Sequence, residues 1–128
     1  MPIENVITSI YGNRLNPITK EWTLHNGIDF NGDIGQKVSA VSDGKITNVY
    51  NSSTYGNVVE YESEIFGEKV VFFNAHLEEA LVKVNDKISV GDVIGVVGST
   101  GNSTGVHLHF SIIVEGEYIN PLYFLKSE

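Results

Sequence analysis

The chain has 128 residues, 41% of them hydrophobic and 19% charged. That suits a single folded domain, and no apolar run approaches the roughly 18 residues a membrane span needs. With 16 acidic and 8 basic residues the net charge is −8, a sign that repels nucleic-acid phosphates and excludes DNA and RNA as expected partners. The absence of cysteine removes disulfides, thiolate metal sites and cysteine nucleophiles together.

In chain order, Met1-Pro2-Ile3-Glu4-Asn5 lacks the basic start and apolar stretch of a signal peptide. Either the protein is cytosolic or its export is supplied from outside these residues. Short runs rich in Val, Ile, Phe and Tyr then recur between turn residues. They predict strands over 6–11, 28–30, 37–41, 44–50, 57–62, 69–75, 93–97 and 107–114. Between them lie Asn31-Gly32-Asp33, Ser42-Asp43-Gly44, Tyr55-Gly56-Asn57 and Phe66-Gly67-Glu68, where Gly and Asx residues supply turn angles. One short helical turn is expected over 78–82. No stretch has sustained helical periodicity, so the expectation is an all-β fold of compact antiparallel sheets. No shift of composition marks a linker, and residues 1–128 read as one module.

The four histidines, His25, His76, His107 and His109, are the most informative feature. His107-Leu108-His109 lies in a β-branched stretch, and residues two apart on a strand share a face. Both imidazoles therefore project from one face, with Leu108 on the other. Asp29 follows His25 by four residues, so the two share a face if that segment is extended. His76 closes the apolar run Val70-Val71-Phe72-Phe73, which places it near a sheet end. A catalytic zinc takes three protein ligands, often imidazoles with a carboxylate, and keeps a fourth position open. Two histidines and one aspartate meet that need and leave two histidines for proton handling. A lone histidine is more often a surface or hydrogen-bonded residue, and His-x-His alone is a weak signal. The weight lies in all four falling beside glycines or strand ends, with an aspartate at matching parity.

At these residues the sequence resembles the lysostaphin and LytM type of zinc endopeptidase, family twenty-three of the metallopeptidases. The resemblance is carried by His25-Asn26-Gly27-Ile28-Asp29-Phe30 and by Gly105-Val106-His107-Leu108-His109-Phe110, preceded by the glycine-rich segment Gly98 to Gly105. Tyr11-Gly12-Asn13-Arg14, Asn16-Pro17, Ala40-Val41-Ser42-Asp43-Gly44, Val90-Gly91-Asp92 to Gly95, and Ile119-Asn120-Pro121 extend it from Ile10 to Phe124. The resemblance implies one zinc ion held by His25, Asp29 and His109, with His76 and His107 as catalytic histidines that do not bind it. It implies a single metallopeptidase catalytic domain over 1–128, of the duplicated-hybrid-motif type, in which long loops wall a substrate groove over twisted antiparallel sheets. The implied activity is hydrolysis of peptide cross-links or stem peptides of bacterial peptidoglycan, performed at the cell wall or from a phage virion with delivery supplied from outside this segment. Asn74 and Glu78 depart from the family, which usually has Tyr two residues before the middle histidine and a small polar residue two after it. The expected consequence is altered local contact with substrate.

Three other readings rank lower. A catalytically inactive member of the same family would act as a binding or regulatory module, but such relatives typically lose ligands, and all five positions are present here. Gly101-Asn102-Ser103-Thr104-Gly105 matches the Gly-x-Ser-x-Gly nucleophile pattern, yet a β-branched strand follows where a helix is required. Asp86-Lys87 resembles the lysine turn of lipoyl carriers, which have no use for four positioned histidines.

Overall fold

The computed structural model describes residues 2, 7–9, 12–15, 22–25, 28–33, 35–65, 67–100 and 106–119; for 7–28 and Asn31 it describes the backbone alone. The described residues form twelve strands: β1 (Ile7–Ser9), β2 (Gly12–Leu15), β3 (Trp22–His25), β4 (Ile28–Asn31), β5 (Lys37–Ser39), β6 (Gly44–Ser52), β7 (Gly56–Ile65), β8 (Glu68–Ala80), β9 (Lys87–Ile88), β10 (Val93–Val97), β11 (His107–Val114) and β12 (Glu117–Ile119). Among the described residues there is no helix. The main sheet runs β1-β4-β11-β8-β7-β6-β9, with β12 added beside β11 and β10 bridging β5 and β8; β2 and β3 pair separately. Every pairing is antiparallel.

Alternation decides which face of the sheet is buried. On β11, Leu108, Phe110 and Ile112 point into the core and are wholly buried. On the neighbouring strands Phe72, Val59, Tyr61 and Ile46 join them. Each such side chain contributes about 1.5–3 kcal/mol by leaving water. Tyr61 stacks on Phe72 at 4.9 Å and 18°, and Phe72 lies 6.2 Å from Phe110. The Tyr61 hydroxyl accepts the Val41 N–H at 3.1 Å, which satisfies a polar group inside an apolar layer. The opposite face carries a smaller cluster, Val58, Phe73 and Ala75, and it is this face that bears the histidines.

Two expectations are corrected. No helical turn forms over 78–82: residues 78–80 complete β8, with Ala80 opposite Gly95 and Glu79 opposite Val96. The Leu81 N–H goes to the Ile94 carbonyl at 2.9 Å, so the backbone donors of this segment are taken across strands instead of along a helix. The strand expected over 69–75 does not end before His76 but runs through it. His76 itself takes φ +61°, a left-handed kink at which β8 exchanges β11 for β10 on one edge, while β7 still pairs with it at Leu77 on the other. β2, β3, β9 and β12 were not anticipated; Gly12–Leu15 and Lys87–Ile88 are too polar or too short for alternation to show. The long loops expected to wall a groove were not assigned to positions; residues 16–21 and 101–105 lie outside the described residues.

Candidate active site

β11 sets His107, His109 and Ser111 on the face away from the core. The register then decides their neighbours. His109 stands opposite Asp29 of β4 on one side and Ala75 of β8 on the other. Side chains directly opposite lie about 4.5–5.5 Å apart at Cβ, and here the His109 Nδ1 comes within 2.8 Å of the Asp29 Oδ1. The far nitrogen, Nε2, meets the Ser111 hydroxyl at 3.1 Å. Ionised carboxylate only accepts, so with no cation between them Nδ1 carries the proton and Nε2 accepts from Ser111.

His76 arrives from the kink in β8. Its backbone N–H donates to the Tyr55 carbonyl at 2.7 Å, and its ring Nδ1 lies 2.6 Å from the Thr100 carbonyl. A carbonyl only accepts, so Nδ1 is the protonated nitrogen and Nε2 is left with its lone pair. The ring is buried, and burial pushes its pKa below the ordinary histidine value of 6.5; the Thr100 carbonyl opposes that and the nearby His107 and His109 add to it. His76 is therefore a neutral imidazole of one tautomer, held in a strained backbone conformation of the kind that gathers at functional sites. His107 faces it with ring centroids 5.0 Å apart, and His109 lies 6.4 Å from it.

Thr100 ties this corner together. Its hydroxyl accepts the Asn57 N–H at 3.0 Å and donates to the Leu77 carbonyl at 2.7 Å. Gly56, at φ +66°, lies so close beneath Thr100 that a Cβ there would collide with it. Tyr55 covers the centre, with its ring 6.1 Å from His109, 6.3 Å from His76 and edge-on to Phe73 at 5.1 Å.

The fold thus brings together Asp29, His76, His107 and His109. The fifth expected residue, His25, ends β3 opposite Gly12, and its side chain lies outside the described residues. The face it was expected to share with Asp29 depends on that side chain and on residues 26–27, which also lie outside the described residues. Among the described residues no three or more His, Cys, Asp or Glu side chains are arranged closely enough to hold a metal ion by themselves. Asn74 corrects an expectation: it is wholly buried on the core face, donating to the Val59 carbonyl at 3.3 Å, and touches no substrate surface. Glu78 is exposed and borders a hollow of about 270 Å³ with Gly98 and Val106. A larger hollow of about 470 Å³, lined by Asp43, Lys45, Glu62 and Glu115 among others, includes none of the histidines. Sequence reasoning missed Ser111 and Thr100. The alternation that paired His107 with His109 also reaches Ser111, whereas nothing local marks Thr100, whose partners lie 23 to 43 positions away.

The model of peptidase family M23 matches residues 23–121. The DD-carboxypeptidase/endopeptidase Mpg of Neisseria meningitidis is 40% identical over 116 residues, covering 91% of this chain and 26% of that protein. The peptidoglycan DD-endopeptidase ShyA of Vibrio cholerae is 38% identical over 109 residues, covering 85% of this chain and 25% of its own. The chain thus spans about a quarter of the length of these curated relatives. Among solved structures, the catalytic domain of the antimicrobial peptidase lysostaphin from Staphylococcus simulans superposes with a TM-score of 0.84 at 34% identity, covering 95% of this chain and 92% of that one. LytU superposes with a TM-score of 0.85 at 31% identity, covering 98% and 87%. With the family model matched over most of its length and the strands in the same arrangement, the chain belongs to peptidase family M23.

Proposed function

We propose that residues 1–128 form the catalytic domain of a zinc-dependent endopeptidase that hydrolyses cross-links or stem peptides of bacterial peptidoglycan. The observation that carries this reading is the convergence of Asp29, His76, His107 and His109 from three strands onto one sheet face. The named activities of the similar proteins support the substrate class. The site of action proposed is the cell wall, of a bacterium or under attack from a phage virion. Among the described residues no helix is long and apolar enough to cross a membrane.

The donor set fits zinc. An imidazole nitrogen and a carboxylate oxygen already face one another at 2.8 Å, and both are ligands that zinc takes. His109 and Asp29 would hold the ion together with His25, and Ser111 would orient the His109 ring from behind, as outer partners of metal-bound histidines commonly do. Zinc, when bound, supplies a Lewis acid for amide hydrolysis. The remaining chemistry belongs to the chain. His76, neutral with its Nε2 lone pair exposed to the site, suits the role of general base toward an attacking water. His107, in ring contact with it, suits donation to the developing oxyanion or the leaving amine.

The test is digestion of purified peptidoglycan by the zinc-loaded protein, with released peptides identified by mass and zinc counted separately. Release of new amine termini at one bond type is expected. Stoichiometric zinc with no cleavage would mark a binding module instead.

A further inference from the structure

The face that bears His109 continues as a floor away from the histidines, and its pattern is set by register. Glu60 stands opposite Phe73, and Phe73 opposite Ser111, so the three form one row across β7, β8 and β11. At the usual strand spacing Glu60 lies about 10 Å from Ser111. Tyr50 stands opposite Val58, one step along the same face, and Tyr118 stands opposite Ile113 at the other margin. Tyr55 links this floor to the histidines through its contact with Phe73.

Glu60 is unusual in its company. Its carboxylate receives the Asn48 side-chain N–H at 3.2 Å, and among the described residues no cation pairs with it. Of the lysines on this face, Lys69 pairs with Glu62 at 3.5 Å one row further on, and Lys45 stands opposite Glu62 in the strand register. Partial burial pushes the Glu60 carboxyl up, against the Asn48 hydrogen bond. Tyr50 and Tyr118, each exposed by about two-fifths, feel its charge, and burial together with that charge pushes both phenols up. A half-desolvated carboxylate without a cation, on a face that also carries Tyr50 and Tyr118, is incomplete in a specific way. A primary ammonium completes it, through a charge-assisted hydrogen bond to the carboxylate and cation–π contact with the rings. Neutral or anionic groups would leave the carboxylate unmatched.

We propose that Glu60, with Tyr50 and Tyr118, forms a substrate subsite that binds a primary ammonium carried by the peptide, one or two residues from the bond that is cut. This rests on the reading of the chain as a peptide hydrolase. The ammonium has two sources, the side chain of a diamino acid or the free amino terminus of the peptide, and the chemistry of the subsite is common to both.

The test uses the full chain and a set of synthetic stem-type peptides: one with both amines free, one acetylated on the diamino-acid side chain, one acetylated at the amino terminus. Affinity is measured by titration on His107→Ala protein, which spares the peptides from cleavage, and turnover on the otherwise unsubstituted protein. Acetylating the amine that occupies the subsite is expected to weaken binding about tenfold, which corresponds to about 1.4 kcal/mol. The arm that shows the loss identifies the source. Adding Glu60→Gln, which preserves shape and the Asn48 contact, is expected to collapse that ratio toward one. The ratio is taken between peptides on the same protein, so a folding defect cancels. Tyr50→Leu is expected to reduce it several-fold less. Discrimination without cleavage would keep the subsite and overturn the hydrolase reading. Cleavage with no discrimination, a ratio unmoved by Glu60→Gln, or no binding of any peptide would overturn the subsite.

Discussion

At His109 two contacts on one ring define what substitution should do. Its Nδ1 faces Asp29 and its Nε2 faces Ser111, so His109→Ala is expected to lose both zinc and turnover. His107 lies beside His76, and His107→Ala is expected to keep zinc while losing about 10²–10⁴ in rate, the range for a general acid–base group. Zinc stoichiometry and turnover on the two purified variants check this; zinc lost from His107→Ala and kept by His109→Ala would reverse the assignment. A second residue bears on stability alone. The Asn74 Oδ1 is buried without a hydrogen-bond partner, and an unsatisfied buried acceptor costs about 1–3 kcal/mol. Asn74→Leu, of similar shape in an apolar layer, is expected to raise stability by about 1 kcal/mol, seen as a higher denaturant midpoint with unchanged slope. A midpoint that falls would mean the amide is better accommodated than its contacts indicate.

The strand β8 carries the site because it breaks its own regularity. Ahead of His76 it pairs with β11 and beyond it with β10, while β7 follows the other edge as far as Leu77; His76 at φ +61° is the corner. A side chain with Cβ pays about 1–2 kcal/mol in that conformation, and glycine does not. His76→Ala and His76→Gly remove the same ring, but only the first retains the strain. The glycine variant is therefore expected to be about 1 kcal/mol the more stable of the two, both being inactive. Equal midpoints in urea would show that the kink relaxes when the ring is gone. The loop that holds this corner has its own test. Thr100→Val deletes the hydroxyl contacts with Asn57 and Leu77, while Thr100→Ser keeps them. The valine variant is expected to lose most of the rate, with the serine variant near the parent.

For the molecule as a whole, pH acts on stability through His76. Its folded pKa lies below the ordinary 6.5 because burial favours the neutral ring. Below that ordinary value the unfolded chain takes up a proton that the folded chain resists. Stability is therefore full above about 6.5 and is lost as pH falls through that value toward the lower folded one. In the presence of a chelator, so that protons do not also compete with zinc, the unsubstituted protein is expected to lose more stability between pH 7.5 and 5 than His76→Ala does. Parallel profiles would show that the buried ring protonates without penalty.

The all-β class, the face shared by His107 and His109, and the strands over 93–97 and 107–114 were legible in the sequence. Each depends on period-two alternation, a local property of the chain. The family could be read for a related reason, since its motifs are contiguous. What alternation cannot specify is which strands become neighbours. The 2.8 Å approach of Asp29 to His109 spans 80 positions, and the tautomer of His76 depends on a carbonyl 24 positions away. The left-handed turn at His76 and the extension of β8 beyond it follow from pairing with β10, so local propensity reads that segment as a short helix. Asn74, standing where the family usually has tyrosine, implied an altered substrate contact, and is a core residue because strand parity turns it to the other face. The sequence by itself determined the chemistry available to this protein; tertiary structure decided which groups meet, because register and sheet order are long-range hydrogen-bonding choices that no short window of residues contains.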